Sequence, residues 1–115
     1  MSKEQIYNEF IKNWNSVSDM VHQTAVDKGW WKDERNQGEL IALIHSELSE
    51  ALEALRQGNP ADDKIPTFSG VEAELADVVI RVMDMASAFG YDIARAVVIK
   101  AEFNKNRSYR HGKNF

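Results

Sequence analysis

The chain has 115 residues, 43% of them hydrophobic and 28% charged, and no cysteine. This composition fits one domain with one modest core and argues against intrinsic disorder, and the lack of cysteine excludes a disulfide framework, a Cys-based zinc site and a thiol nucleophile. Net charge is −4, but residues 1–90 carry 8 basic and 16 acidic groups while residues 91–115 carry 6 basic and 2 acidic ones, which argues against a duplex-DNA surface and suits a small anion held with metal ions.

No run of about 18 apolar residues occurs, and the opening MSKEQIYNEF lacks the apolar stretch of a signal peptide. A cytoplasmic protein with neither a membrane nor a nucleic-acid partner is expected. Helical spacing recurs along the chain and strand alternation does not. The first predicted helix runs from Lys3 to Asp27, with Ile6, Phe10, Trp14, Val17, Val21 and Thr24 on one stripe, and ends at Lys28-Gly29. Trp30 to Arg35 reads as a loop. Asn36, with Glu39 three residues on, opens a second helix that runs to about Gln57 and stops at Gly58-Asn59-Pro60. Residues 58–68 form the longest stretch without periodicity. Ser69 with Glu72 is a capping box for a third helix to about Phe89, which Gly90 ends. Asp92 caps a fourth helix to about Asn104, and residues 105–115 form a basic, extended tail.

The expected fold is therefore all-α: an antiparallel four-helix bundle in a single domain, residues 1–115. Helix three is apolar around much of its circumference, through Val71, Leu75, Val78, Val79, Ile80, Val82, Met83, Met85 and Ala86. So apolar a helix packs on more than one side, and in a chain this small a second subunit is the expected cover.

The carboxylates carry the chemistry. Helix two has a core stripe of Leu40, Ile41, Leu43, Ile44, Leu48, Ala51, Leu52 and Leu55. Glu47 falls inside that arc and Glu50 at its edge. An ionised carboxylate aimed at a core is costly unless it is paired or binds metal. On helix three, Glu74, Asp77, Arg81 and Asp84 form one polar stripe. If the two helices are antiparallel neighbours, the 47/50 pair faces the 74/77 pair. Four carboxylates meeting there repel one another, and a hard divalent cation such as Mg²⁺ or Mn²⁺ relieves the repulsion. Either pair alone is common on solvated helix faces; the core-facing Glu47 and the doubling of the motif set these apart. His22, His45 and His111 are too dispersed for a zinc site.

The segments Glu47-Leu48-Ser49-Glu50 and Glu74-Leu75-Ala76-Asp77, on two helices either side of a loop, resemble the E-x-x-E … E-x-x-D signature of MazG-like nucleotide pyrophosphohydrolases, of the all-α NTP pyrophosphatase superfamily. Arg35-Asn36, Asp77-Val78-Val79-Ile80-Arg81 and the basic ending from Asn104 to Lys113 agree with it. The resemblance covers about residues 30–113. It departs at Ser46, where many members carry an additional glutamate. It implies hydrolysis of a nucleoside triphosphate between the α and β phosphates, with Glu47, Glu50, Glu74 and Asp77 holding Mg²⁺. Glu50 or Glu47 would orient or deprotonate the attacking water. It also implies a homodimer or homotetramer and phosphate contacts from Lys100, Asn104, Arg107 and Lys113 in the tail, which without the resemblance reads as a solvated terminus. In dCTP-pyrophosphatase-like relatives aromatic side chains frame the base. That suggests Trp30 or Trp31 here, the other anchoring the loop, with His22 either a polar contact to the base or a satisfied structural histidine. A deoxynucleotide such as dCTP is the expected substrate. Phosphoribosyl-ATP pyrophosphohydrolysis and a helical dimerisation module without chemistry are the alternatives.

Overall fold

Residues 1–115 are described by a computed structural model. The four predicted helices form: α1 Lys3–Asp27, α2 Gln37–Arg56, α3 Gly70–Phe89 and α4 Ile93–Lys105. Their ends fall where the caps place them, because each cap satisfies donors that the first helical turn leaves without a partner. The Asn36 side chain accepts from the Glu39 N–H at 3.1 Å. Ser69 and Glu72 exchange both capping-box bonds, and Gly90 closes α3 in the left-handed conformation at φ 72°. The Asp92 side chain caps α4. The tail differs from the extended form expected of it. It contains a 3₁₀ turn over Tyr109–Gly112, with Arg110 and His111 both at φ 53°.

α3 is the central element. It packs against α2 on one side and α1 on the other, and α4 packs mainly on α1. Glu47 meets Arg81 while Gln37 meets Tyr91, so α2 and α3 run antiparallel. Trp14 lines a cleft with Gly90 near one end of α1, and Lys28 lines one with Asp77 at the other, so α1 and α3 do too. The helices approach closely at Gly70, where an added Cβ would lie 3.0 Å from Ala54 Cβ. This glycine lets the first turn of α3 lie against α2 and brings Glu74 within reach of Glu47 and Glu50.

Two apolar stripes differ from expectation. On α1 the inward face is Tyr7, Ile11, Trp14, Ser18, Val21, His22 and Ala25, while Ile6 (50% exposed) and Val17 point outward. Ser18 falls on this inward face by helical spacing, and its hydroxyl donates to the Met83 carbonyl oxygen at 2.6 Å, which satisfies the buried polar group. On α2, Leu40, Glu47 and Ala51 are buried, whereas Ile41, Leu48, Leu52 and Leu55, about a quarter-turn round the helix, are exposed. Leu75 and Val79 of α3 are exposed as well. No large side chain is fully buried, and the radius of gyration is 16.6 Å, against about 13 Å for a compact chain of this length. The bundle is open. No helix is long and apolar enough to cross a membrane.

Candidate metal centre

Glu47 and Glu50 are one turn apart on α2, so their side chains project from the same face. Glu74 lies in the second turn of α3. Each of the three brings a carboxylate oxygen within 4.8 Å of the others. Glu47 is 8% exposed, and its Oε1 accepts from Arg81 Nε at 3.1 Å. Glu74 Oε2 is buried and has no hydrogen-bond partner. Burial, then the adjoining Glu47 and Glu50 carboxylates, push the Glu74 carboxyl up to about 7. When protonated, Glu74 can donate to one of these neighbours; when ionised, its inner oxygen meets only acceptors.

Asp77 follows Glu74 by three residues on α3. Its oxygens lie outside the three-carboxylate group, yet burial and the Glu47 charge raise its pKa, against the lowering effect of Arg81 and Lys64. The sequence places all four carboxylates on two helical faces; tertiary packing brings three together and sets the fourth beside them. The donors are all oxygen, clustered and short of positive charge, and one of them is buried without a partner. That set fits a hard divalent cation such as Mg²⁺ or Mn²⁺.

Cavities open on both sides of the carboxylates. One, of about 450 Å³, lies between α1, α3 and the loop before α2 and is lined by Lys28, Trp30, Arg35, Glu47, Asp77 and Arg81, among others. The other, of about 720 Å³, lies under the 58–69 loop and meets Glu50, Glu74, Asp77 and Lys64. The loop is fixed locally: the Asp62 carboxylate accepts from the backbone N–H of Lys64 and of Ile65, both at 2.9 Å, and these bonds hold its pKa below the usual range. Neither Lys28 nor Lys64 was identified as a site residue from sequence. Lys28 reads as a helix end, and Lys64 sits where periodicity gives no signal.

The two adjacent tryptophans divide their roles. Trp31 Nε1 donates to Asp84 Oδ1 at 2.9 Å, its ring meets Phe89 edge-on at 5.8 Å, and the Arg35 guanidinium lies 4.9 Å from its centroid. His22 Nδ1 is 2.8 Å from the same Asp84 oxygen, and its ring meets Trp31 edge-on. Trp31 and His22 are thus engaged in anchoring the loop to α3 and α1. Trp30 is 64% exposed and lines the first cavity.

The tail is not brought to the carboxylates of its own chain. Glu102 of α4 accepts from Tyr7 Oη at 2.9 Å and pairs with Lys3 at 3.0 Å, near the start of α1. The first cavity uses the other end of α1, from Val21 to Lys28. Tyr7 and Ala25 are separated by about 27 Å along that helix at 1.5 Å per residue. Lys100, Asn104, Arg107 and Lys113 are all exposed. Lys100 and Arg107 flank the ring of Phe103, their charged groups 5.6 and 5.7 Å from its centroid.

No protein-family model matches the chain, and no curated protein and no solved structure matches it either.

Proposed function

We propose that this chain is a Mg²⁺-dependent nucleoside triphosphate pyrophosphohydrolase of the MazG-like kind. It would cleave a (d)NTP between the α and β phosphates to the monophosphate and pyrophosphate, prefer a deoxynucleotide such as dCTP, and serve nucleotide-pool control in the cytoplasm. The observation that carries this reading is the convergence of Glu47, Glu50 and Glu74 around a buried, unpartnered Glu74 oxygen. These three carboxylates hold the ion, and Asp77 supports it from the adjoining turn. Bound there, Mg²⁺ neutralises phosphate charge and helps align the attacking water. Glu50, on the exposed edge of the cluster, would take the water proton as the water oxygen bonds to the α phosphorus and the bond from that phosphorus to the bridging oxygen breaks, the oxygen leaving with pyrophosphate. Trp30 offers an indole face for the base at the cavity mouth. Lys28 and Lys64 supply positive charge on the two sides of the carboxylates.

The exposed stripe of Ile41, Leu48, Leu52 and Leu55 on α2, with Leu75 and Val79 exposed on α3, supports a homodimer or homotetramer in which a second copy covers apolar surface. In such an assembly Lys100, Asn104, Arg107 and Lys113 serve a site only when it belongs to another copy. Leu52→Glu is expected to dissociate the oligomer, because a carboxylate buried in an apolar contact lacks a partner. Light scattering coupled to size-exclusion chromatography checks this, and an unchanged mass would rule the stripe out as the contact.

Product analysis tests the reaction. The protein is incubated with each common NTP and dNTP, with Mg²⁺ and with EDTA. Monophosphate plus pyrophosphate, formed only with Mg²⁺, is the expected result. Turnover of phosphoribosyl-ATP alone would move the assignment within the superfamily. The apolar stripe equally favours a dimerisation module without chemistry, and that reading takes over if no substrate turns over and Mg²⁺ leaves stability unchanged.

A further inference from the structure

Arg81 stands between the carboxylates and the first cavity. It lies on α3, one turn beyond Asp77. Its Nε donates to Glu47 Oε1 at 3.1 Å, and its side chain is 37% exposed. A guanidinium has five N–H donors in a rigid plane. The bond to Glu47 uses one and fixes the plane of the others. The two terminal nitrogens make no hydrogen bond to protein, and the side chain lines the cavity that also holds Trp30 and Lys28. The other guanidinium in that cavity, Arg35, lies 4.9 Å from the Trp31 ring centroid and 4.0 Å from Asp84, on the tryptophan side and not at the carboxylate cluster. Arg81 is the guanidinium that is hydrogen-bonded to a carboxylate of the cluster and still presents free donors to the cavity.

Pairing explains the first bond but not the free edge. A structural counter-ion for Glu47 needs only a point charge, and the planar fork is what recognises phosphate oxygens in a bidentate manner. We propose that Arg81 is a phosphate-binding residue of this site: Glu47 positions it, and its free Nη edge grips a non-bridging phosphate oxygen of the nucleotide whose base lies toward Trp30. This rests on the metal-centre reading above and adds a substrate contact to it. Glu47 then has two tasks on two oxygens. One orients Arg81, and the other faces the ion.

The test separates anion binding from metal binding. Calorimetry measures Mn²⁺ alone, then a dNTP analogue with an imido group between the α and β phosphates at saturating Mn²⁺. Arg81→Gln is expected to weaken the analogue tenfold or more, since a charge-assisted bidentate contact is lost. Its affinity for Mn²⁺ alone is expected to equal or exceed that of the wild type, because a cation opposing the ion has gone. Arg81→Lys keeps the charge without the fork and is expected to fall between the two. Analogue affinity within twofold of wild type in Arg81→Gln would overturn the proposal. So would a parallel loss of Mn²⁺ affinity, which would reduce Arg81 to a prop for Glu47. Wild-type protein that binds no Mn²⁺ would remove the metal centre itself, and Arg81 would then be a counter-ion only.

Discussion

Glu50→Gln is expected to lower turnover of a nucleoside triphosphate by on the order of 10²- to 10³-fold, with the helical fold retained. The substitution keeps the side-chain volume and removes one ligand charge together with a proton acceptor. Glu50 sits at the exposed edge of the cluster, so its neutralisation strands no buried partner. Glu47→Gln is a less clean experiment, because Glu47 is buried and holds Arg81. Asp77→Asn is expected to lose activity by a comparable factor, through weakened support of the ion. Initial rates with product separation, alongside far-ultraviolet circular dichroism, provide the comparison. Activity within tenfold of wild type in a folded Glu50→Gln protein would remove Glu50 from the mechanism.

Mg²⁺ is expected to stabilise the protein strongly, and more at pH 8 than at pH 5. A ligand at a hundred times its dissociation constant adds about 2.7 kcal/mol to folding stability. For a chain of this size that raises Tm by about 10 °C. The pH dependence follows from Glu74, whose carboxyl is pushed from 4.5 up to about 7 in the fold. A raised acid pKa means that the folded state holds the proton more tightly than the unfolded one. Its contribution to stability is complete below about pH 4.5 and is lost as pH rises through 7. Asp77, also raised, acts in the same direction. Glu72, Asp62 and Glu102 are shifted downward, so their opposite effect falls at more acid pH. Metal-free protein is therefore expected to lose Tm between pH 5 and pH 8, and Glu74→Gln to flatten that slope. The ion competes with the Glu74 proton, so its stabilisation grows over the same interval. Thermal melts with Mg²⁺ and with EDTA across this range are decisive. An equal Tm shift at both pH values would mean that Mg²⁺ does not bind at Glu74, and no shift at either would remove the metal centre.

The exposed face of α2 has a bearing on both experiments. Only part of the apolar arc on that helix is covered by α3, and Ile41, Leu48, Leu52 and Leu55 remain outside it. Periodicity showed that the arc was wide, but it could not say which part a neighbour in the same chain would cover. The two carboxylates of α2 lie off that uncovered part: Glu47 is buried toward α3, and Glu50 is exposed on the other flank of the helix.

What the sequence determined by itself was local. Ser69-Glu72, Asn36, Asp92 and Gly90 placed the helix ends, because a cap is a bond between residues only a few positions apart. The three-residue spacing of Glu47/Glu50 and of Glu74/Asp77 placed each pair on one helical face, since the pitch of an α-helix is fixed. Glu47 on an apolar stripe already marked the one carboxylate that would be buried. What only the tertiary structure decided was every relation between elements. Packing at Gly70 and Ala54 selected Glu47, Glu50 and Glu74 to converge and left Asp77 beside them. Asp84 engaged Trp31 and His22 and left Trp30 at the cavity. The Glu102 contacts with Tyr7 and Lys3 tied α4 to the far end of α1 and carried the tail cations away from the site. Ser18 found in the Met83 carbonyl the acceptor that lets its hydroxyl be buried. In each case the deciding partner is tens of residues away along the chain, and helical periodicity reports which face a residue occupies but not what that face will meet.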